Sequence, residues 1–505
     1  MNKMRTALVP SWLAFMLLLA SGVGAQTVLV QPYVQPGDRS TLDGADAASL
    51  LWLTDQKLGE FTVEFGVTNL PARFAKPVRV SLDFAPPQPK VVKKATDAAN
   101  EDEPAKATAT KATPEAAQHY FKYTAALTNL PLDSVVTYRV KLGTNLVREG
   151  SFHTRASAAN PIRFVMAGDL ANGKPQQNAI AFQISRAQPQ FVVVLGDIVY
   201  PIGRVSQYLD HFWSTYNQPT FIGPSNGAPL MASIPFYAAI GNHDVDTHNL
   251  VEISDALGAY HFFRAPPSGP GEGPWSTPIG KSPAATTFRG AVGDSYPNLG
   301  FYSFDSGPAH FLILDTSGYV NLENPKLRAW IERDLRGSRA RWKFVCTHNP
   351  LFHSARDHYT EQKTRFLAPL LENCGVDMVF SGHVHNYQRS VPLRFTPNPP
   401  KRLPGGYVNG DFQLDQAYDG ITNTRPNGII HIVTGGGGAS LYGGDLKKNA
   451  VYFKTNAPGN WVPFTAKFIA DRHSFVVVDL TANSLLLRTI DHKGSEFDRV
   501  RLTKP

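Results

Sequence analysis

The chain is poor in cysteine. Only Cys346 and Cys374 occur among its 505 residues, which excludes a disulfide-rich scaffold and leaves the fold to its apolar core. Nor are these two placed to pair. Cys346 lies late in a predicted strand, Trp342 to Thr347, and Cys374 ends the predicted helix that follows, just before a strand from Val376 to Phe380. In a parallel β-α-β unit those points fall near opposite ends of the sheet, beyond disulfide reach. Charged residues make up only 18% of the chain and form no long Lys/Arg block, so nucleic-acid binding is not indicated. Past residue 25 no run is long and apolar enough to span a bilayer, so no transmembrane segment is expected in the mature chain.

The first 25 residues read as a secretory signal peptide. Lys3 and Arg5 precede an apolar stretch centred on residues 12–19, and Val23-Gly24-Ala25 then offers small residues at a cleavage site. The apolar stretch is shorter than the ~20 residues that cross a bilayer. The mature chain is therefore expected to begin near Gln26 and to be secreted or periplasmic. Loss of Lys3 and Arg5 takes the formal net charge from +8 to +6. That mild positive balance attracts anionic substrates or anionic cell-envelope surfaces. Oligomeric state is not legible in the sequence.

Two regions follow. Residues 26–156 alternate short runs rich in aromatic and β-branched residues, such as Phe61 to Phe65 and Val135 to Val140, with turn signals such as Asn69-Leu70-Pro71 and Asn129-Leu130-Pro131. They predict an antiparallel sandwich. A tract at 85–117, rich in Ala, Pro, Thr and Lys, interrupts it and reads as a disordered insert between two strands. Residues 157–505 change pattern. Continuous apolar runs alternate with helical periodicity: Leu327, Trp330, Ile331 and Leu335 share one face, as do Leu367, Leu370, Leu371 and Cys374. This is the signature of strands buried on both faces in a layered α/β domain, whose ligand site lies at the carboxyl ends of the strands.

Five of those runs end in chemistry. They lead into Gly168-Asp169, Gly196-Asp197-Ile198-Val199-Tyr200, Gly241-Asn242-His243-Asp244, Thr347-His348 and Gly382-His383-Val384-His385. A glycine before a ligand lets the backbone turn sharply at a strand end. Two histidines two apart on an extended segment point the same way and can serve neighbouring metals. Singly each motif is weak, since a lone Gly-Asp is usually a turn; the specificity lies in their order and number.

In that order the five motifs resemble the signature of the purple acid phosphatases, within the calcineurin-like metallophosphoesterases. The resemblance implies an α/β/β/α sandwich of mixed sheets preceded by a fibronectin-III-like domain. It implies a dinuclear metal centre in which Asp169, Tyr200 and His385 bind one ion, Asn242, His348 and His383 bind the other, and Asp197 bridges them. The first set is hard and anionic and suits Fe(III); the second suits a divalent ion such as Zn, Fe or Mn. Such a pair lowers the pKa of a bound water, supplying hydroxide, and clamps the phosphoryl oxygens of a small phosphate ester. His243, beside Asn242, is the candidate acid or phosphate contact, with Asp244 as its orienting partner. The family carries a further histidine after the fourth motif; His358 is the choice and His353 its rival. Ala171 departs from the family's Gly-Asp-x-Gly pattern.

The Gly435-Gly436-Gly437-Gly438 run lacks the Lys-Ser/Thr ending of a phosphate-binding loop and reads as a tight turn near the site. Asp315 ends a strand and reads as structural. Tyr387 and Arg389 either brace the site or reach the substrate. His119, His153, His431 and His473 stand outside the motifs and are read without a catalytic role. The expected function is an acid phosphatase acting on phosphate monoesters. A phosphodiesterase built on the same residues is the alternative, and a catalytically inactive cell-envelope binding protein a third reading, marked by ligand loss that this sequence does not show.

Overall fold

The computed structural model describes residues 26–86, 115–245, 250–270, 279, 283–399 and 402–505. The expected signal peptide, and all but the ends of the expected insert at 85–117, lie outside the described residues. Eight strands come first: β1 (Val28–Pro36), β2 (Ala45–Thr54), β3 (Phe61–Val67), β4 (Arg73–Ala75), β5 (Val78–Phe84), β6 (Gln118–Pro131), β7 (Val135–Leu142) and β8 (Asn145–His153). They form two four-stranded antiparallel sheets, ordered β1-β2-β6-β5 and β4-β3-β7-β8. In β7 the alternation is clean, with Val136, Tyr138 and Val140 buried between the sheets and Val135, Thr137 and Arg139 facing out. β2 is buried almost throughout, because Leu50 and Trp52 face the partner sheet while Leu51 and Leu53 join the core of the α/β region. Hydrogen bonds reinforce that contact: Tyr33 donates to the Phe262 carbonyl at 2.9 Å, and Arg155 reaches Asp46 Oδ1 at 2.9 Å and the Asp305 carbonyl at 3.0 Å.

The α/β region contains β9 (Ile162–Ala167), β10 (Phe191–Leu195), β11 (Phe236–Ala239), β12 (Phe301–Ser306), β13 (Ala309–Leu314), β14 (Trp342–Thr347), β15 (Met378–Ser381) and β16 (Tyr387–Ser390). It continues with β17 (Leu393–Pro397), β18 (Gly410–Leu414), β19 (Ile430–Thr434), β20 (Thr465–Ile469), β21 (Ser474–Leu480), β22 (Ser484–Asp491) and β23 (Glu496–Thr503). One mixed sheet runs β11-β10-β9-β21-β22-β23, the other β12-β13-β14-β15-β19-β16-β20. The final strands thus complete the first sheet, β21 pairing antiparallel with β9.

The sheets face each other through a layer of aromatic rings. Phe164 and Phe191 of the first lie 5.1 Å and 5.4 Å from Phe311 of the second, and Tyr237 stacks on Phe304 at 3.7 Å. Rings of this size bury much area and favour tilted and offset contacts. Helix Pro175–Ala187 covers the outer face of the first sheet with Ile180 and Ile184. Helix Pro325–Gly337 covers the second with Leu327, Trp330, Ile331 and Leu335, and its start is fixed by Asn324, whose side chain accepts from Lys326 and Leu327 N–H. The layering is α/β/β/α. Both cysteines are free and buried, Cys346 in β14 and Cys374 at the end of helix Ala368–Asn373.

Candidate metal centre

The carboxyl ends of both sheets meet in one cleft. Asp169 follows β9, Asp197 and Tyr200 follow β10, and Asn242 follows β11. From the other sheet, His348 follows β14, and His383 and His385 lie between β15 and β16. The turns are made differently from the sequence expectation. Of the glycines before ligands only Gly196 has a positive φ; at Asp169, Asp197 and His383 the ligand-type residue itself is left-handed, with φ of 60°, 49° and 66°. Non-glycine residues hold that conformation at a cost that the surrounding contacts must offset. The other glycines permit close approach: a Cβ on Gly382 would lie 2.6 Å from Asp169 Oδ2. Nor is the His383–His385 segment extended, since it turns on short backbone bonds from Val384 to Gly382 and from Asn386 to Val384, both 2.7 Å.

Every one of the seven residues lies in this cleft. The Tyr200 hydroxyl is 3.0 Å from Asp169 Oδ1, 3.1 Å from Asp197 Oδ2 and 3.0 Å from His385 Nε2. His385 Nε2 is also 3.2 Å from Asp169 Oδ1. On the other side, His348 Nε2 is 3.0 Å from Asn242 Oδ1 and 3.2 Å from Asp197 Oδ2. Asp169, Asp197 and His385 form one group of potential ligand atoms within 4.8 Å of one another, and Asp197, His348 and His383 form a second that shares Asp197.

Each imidazole is held from behind. His348 Nδ1–H donates to the Leu195 carbonyl at 2.8 Å, His385 Nδ1–H to the Ser440 carbonyl at 2.7 Å, and His383 Nε2–H to Glu361 Oε2 at 2.9 Å. Donation on one nitrogen leaves a lone pair on the other. For His348 and His385 that second nitrogen faces carboxylate oxygen, an arrangement that calls for a positive charge between them, a cation or, at His348, a proton. The electrostatics agree. Burial opposes charge at Asp197, yet His348, His243 and His383 hold its carboxyl well below the ordinary range. Burial likewise opposes charge on His348, but Asp197 and Asp169 push it up to about 10. Burial, with His358 and His348 adding to it against Glu361, takes His383 down to about 4, the neutral form that ligates metal. This donor set fits bound cations.

His243 sits at the rim, its Nδ1–H donating to the Pro201 carbonyl at 2.5 Å and its Nε2 4.0 Å from Asp197 Oδ2. Asp244 does not take up the orienting role expected of it. Its carboxylate accepts instead from Ile198 N–H at 3.2 Å and Gly241 N–H at 2.9 Å, fastening two of the turns to each other. His358 stands beside His383, ring centroids 4.1 Å apart, whereas His353 is fully buried and pushed down to about 3 by that burial. Glu361 was not singled out from sequence. It bridges the site's edge, taking His358 Nδ1–H at 2.7 Å and His383 Nε2–H at 2.9 Å. Its signal was faint, a lone acid three residues after His358.

The glycine run lines the site by close approach, since a Cβ on Gly437 would lie 2.4 Å from the Gly168 carbonyl and one on Gly435 2.8 Å from Asp169 Oδ2. Ala171 bridges to Val199, and its carbonyl accepts Tyr200 N–H at 2.8 Å, so the departure from glycine leaves the Tyr200 turn anchored. Tyr387 and Arg389 both bond Asp498 of β23, at 2.7 Å, and brace the join between the sheets. Asp315 is buried among Tyr319 and Ser317 N–H.

Two mixed sheets thus meet with carboxylates at the end of one and imidazoles at the end of the other. Residues 162–387 match the calcineurin-like phosphoesterase family, and the chain carries such a domain. It is homologous to purple acid phosphatases: Purple acid phosphatase 18 of Arabidopsis thaliana is 25% identical over 316 residues, 61% of this chain and 56% of that one. An uncharacterized protein of Mycobacterium tuberculosis is 28% identical over 349 residues, 63% of this chain and 58% of that one. The chain therefore spans less than two thirds of the length of these curated relatives. Its fold is shared with the purple acid phosphatase PPD1 of yellow lupin (Lupinus luteus) seeds, with a TM-score of 0.60, 17% identity, and coverage of 94% of this chain and 74% of that one. Among the described residues no helix is long and apolar enough to cross a membrane.

Proposed function

We propose that this chain is a dinuclear-metal phosphoric ester hydrolase of the purple acid phosphatase type, acting on small phosphate monoesters outside the cytoplasm. The observation that carries the reading is the convergence of carboxylate oxygens and outward-braced imidazoles on two points sharing Asp197. Asp169, Tyr200 and His385 would hold one ion, Asn242, His348 and His383 the other, and Asp197 both. A bound pair supplies Lewis acidity toward phosphoryl oxygens and a nucleophile near neutral pH. The oxygen-rich first set, with a phenol, suits Fe(III), and the second suits Zn, Fe or Mn in the divalent state.

The chain's own residues do the rest. His243, fixed through Nδ1 by Pro201, presents Nε2 toward the cleft, where it can contact phosphate or protonate a leaving alkoxide. His358 stands on the other side, held by Glu361 at Nδ1 and facing the Tyr442 hydroxyl at Nε2, through which its proton can reach a leaving alkoxide, and its place beside His383 favours it over the buried His353. Asp244 holds the turns that carry Asp197 and Asn242. The domain division at residue 156/157 is consistent with β8 ending at His153 and β9 beginning at Ile162. The test is the ratio of initial rates on p-nitrophenyl phosphate and bis(p-nitrophenyl) phosphate across pH. A monoester preference with an acidic optimum is expected; a diester preference would move the assignment to a phosphodiesterase.

A further inference from the structure

His385 is enclosed by one short segment. The Ser440 carbonyl takes its Nδ1–H, the Tyr442 N–H donates to its carbonyl at 3.1 Å, and the Tyr442 ring lies flat on its imidazole, centroids 4.1 Å apart and planes 5° from parallel. Hydrogen bonds at Nδ1 and the main chain fix where an imidazole points, but the stacked ring fixes its plane. The same side chain reaches across the cleft. Its hydroxyl lies 3.2 Å from Nε2 of His358, whose Nδ1 is taken by Glu361. His358 is itself left-handed, with φ of 58°, so its placement depends on such contacts. The Tyr442 ring packs against Ala355, Val384 and Val433, between the two histidines it touches.

We propose that Tyr442 is a positioning residue that sets the ring plane of His385 through its face and aims His358 through its hydroxyl. One side chain thereby links a proposed ligand of the first ion to the proposed proton donor beside the second. The two roles separate chemically. Tyr442→Phe keeps the face and removes only the hydroxyl; Tyr442→Leu removes both. His358 matters most where the leaving alkoxide needs a proton, so an alkyl phosphate reports its aim and p-nitrophenyl phosphate, with its good leaving group, reports it weakly.

This inference rests on the phosphoesterase reading, and the experiment separates the two. Metal content after timed chelator exposure, kcat and KM are measured for wild type, Tyr442→Phe and Tyr442→Leu on p-nitrophenyl phosphate and on an alkyl phosphate. Tyr442→Phe is expected to retain metal as wild type does, to leave KM unchanged, and to lose about tenfold in kcat on the alkyl ester but far less on the aryl ester. Tyr442→Leu is expected to lose metal roughly 10-fold faster as well. An unchanged kcat on both esters in Tyr442→Phe, or wild-type metal retention in Tyr442→Leu, overturns the role of Tyr442 while leaving the enzyme assignment standing. A wild-type protein that binds no metal and cleaves neither ester overturns both.

Discussion

The two sheets bring unlike chemistry to one cleft. The sheet of β9, β10 and β11 ends in oxygen: Asp169, Asp197, Tyr200 and Asn242. The sheet of β14, β15 and β16 ends in nitrogen: His348, His383 and His385. Neither half stands without the other. His348 is oriented by the Leu195 carbonyl of the first sheet, and Asp169 accepts the His383 backbone N–H of the second at 2.9 Å. These two bonds cross between the halves, whereas His383 and His385 are braced from within their own half by Glu361 and Ser440. The shared point is Asp197, which lies within reach of Tyr200 on one side and His348 on the other.

The largest break in this comparison is therefore Asp197→Asn. It removes the one carboxylate common to both groups, and a fall of about three orders of magnitude in kcat, with loss of metal, is expected. Metal content per chain and turnover of p-nitrophenyl phosphate check it; a variant that keeps two ions would remove Asp197 from the bridging role. Asn242→Ala comes next. It deletes the single neutral oxygen donor in an otherwise imidazole-rich group, and about a hundredfold loss in turnover is expected. Full activity would sink its assignment as a ligand.

Much of this cleft was legible because strand-end ligands leave a compact trace: an apolar run, a glycine, then a ligand type. That trace marks Asp169, Asp197, Asn242 and His383; His348 follows a threonine, and Tyr200 and His385 enter as ligands through the family resemblance. Fine geometry was less legible. The left-handed positions fall on Asp169, Asp197 and His383 themselves, since contacts from the opposite sheet stabilise a conformation that local propensity disfavours. Asp244 next to His243 looked like its orienting partner, yet neighbours in sequence at a helix start point apart, and the carbonyl of Pro201 fills that role. Glu361 escaped notice because its significance is purely tertiary.

Glu361 sharpens the contrast between the halves. Among the three imidazoles, His383 is the one braced by a carboxylate rather than by a backbone carbonyl. A carboxylate behind a ligand histidine raises its basicity and is removable by mutation, unlike a carbonyl. Glu361→Gln should lower metal retention and turnover by about tenfold. The comparison would fail if Glu361→Gln matched wild type in both, because His383 would then need no partner behind it.

The smallest effect concerns a histidine that does the opposite. His310, in β13, donates from Nδ1 to Asp305 at 2.7 Å and from Nε2 to Asp334 at 2.8 Å. Each site imidazole has one nitrogen braced from behind and the other turned to the cleft; His310 has both nitrogens on carboxylates away from the cleft, and so is built to carry a proton. Burial disfavours that charge, but the two carboxylates outweigh it and push His310 up to about 9. A folded-state value above the unfolded ~6.5 means the protonated histidine stabilises the fold fully below pH ~6.5, and the contribution fades as pH rises through 9. Its full size is on the order of 3 kcal/mol. Melting temperature should therefore fall between pH 6.5 and 9.5 in wild type. In His310→Gln the protein should start lower and lose that part of the slope, while metal content at pH 6 stays unchanged because β13 receives His310 near its amino end, away from the cleft. An unaltered slope in the variant would mean that His310 is neutral in the folded protein, and its two carboxylates would then need another source of positive charge.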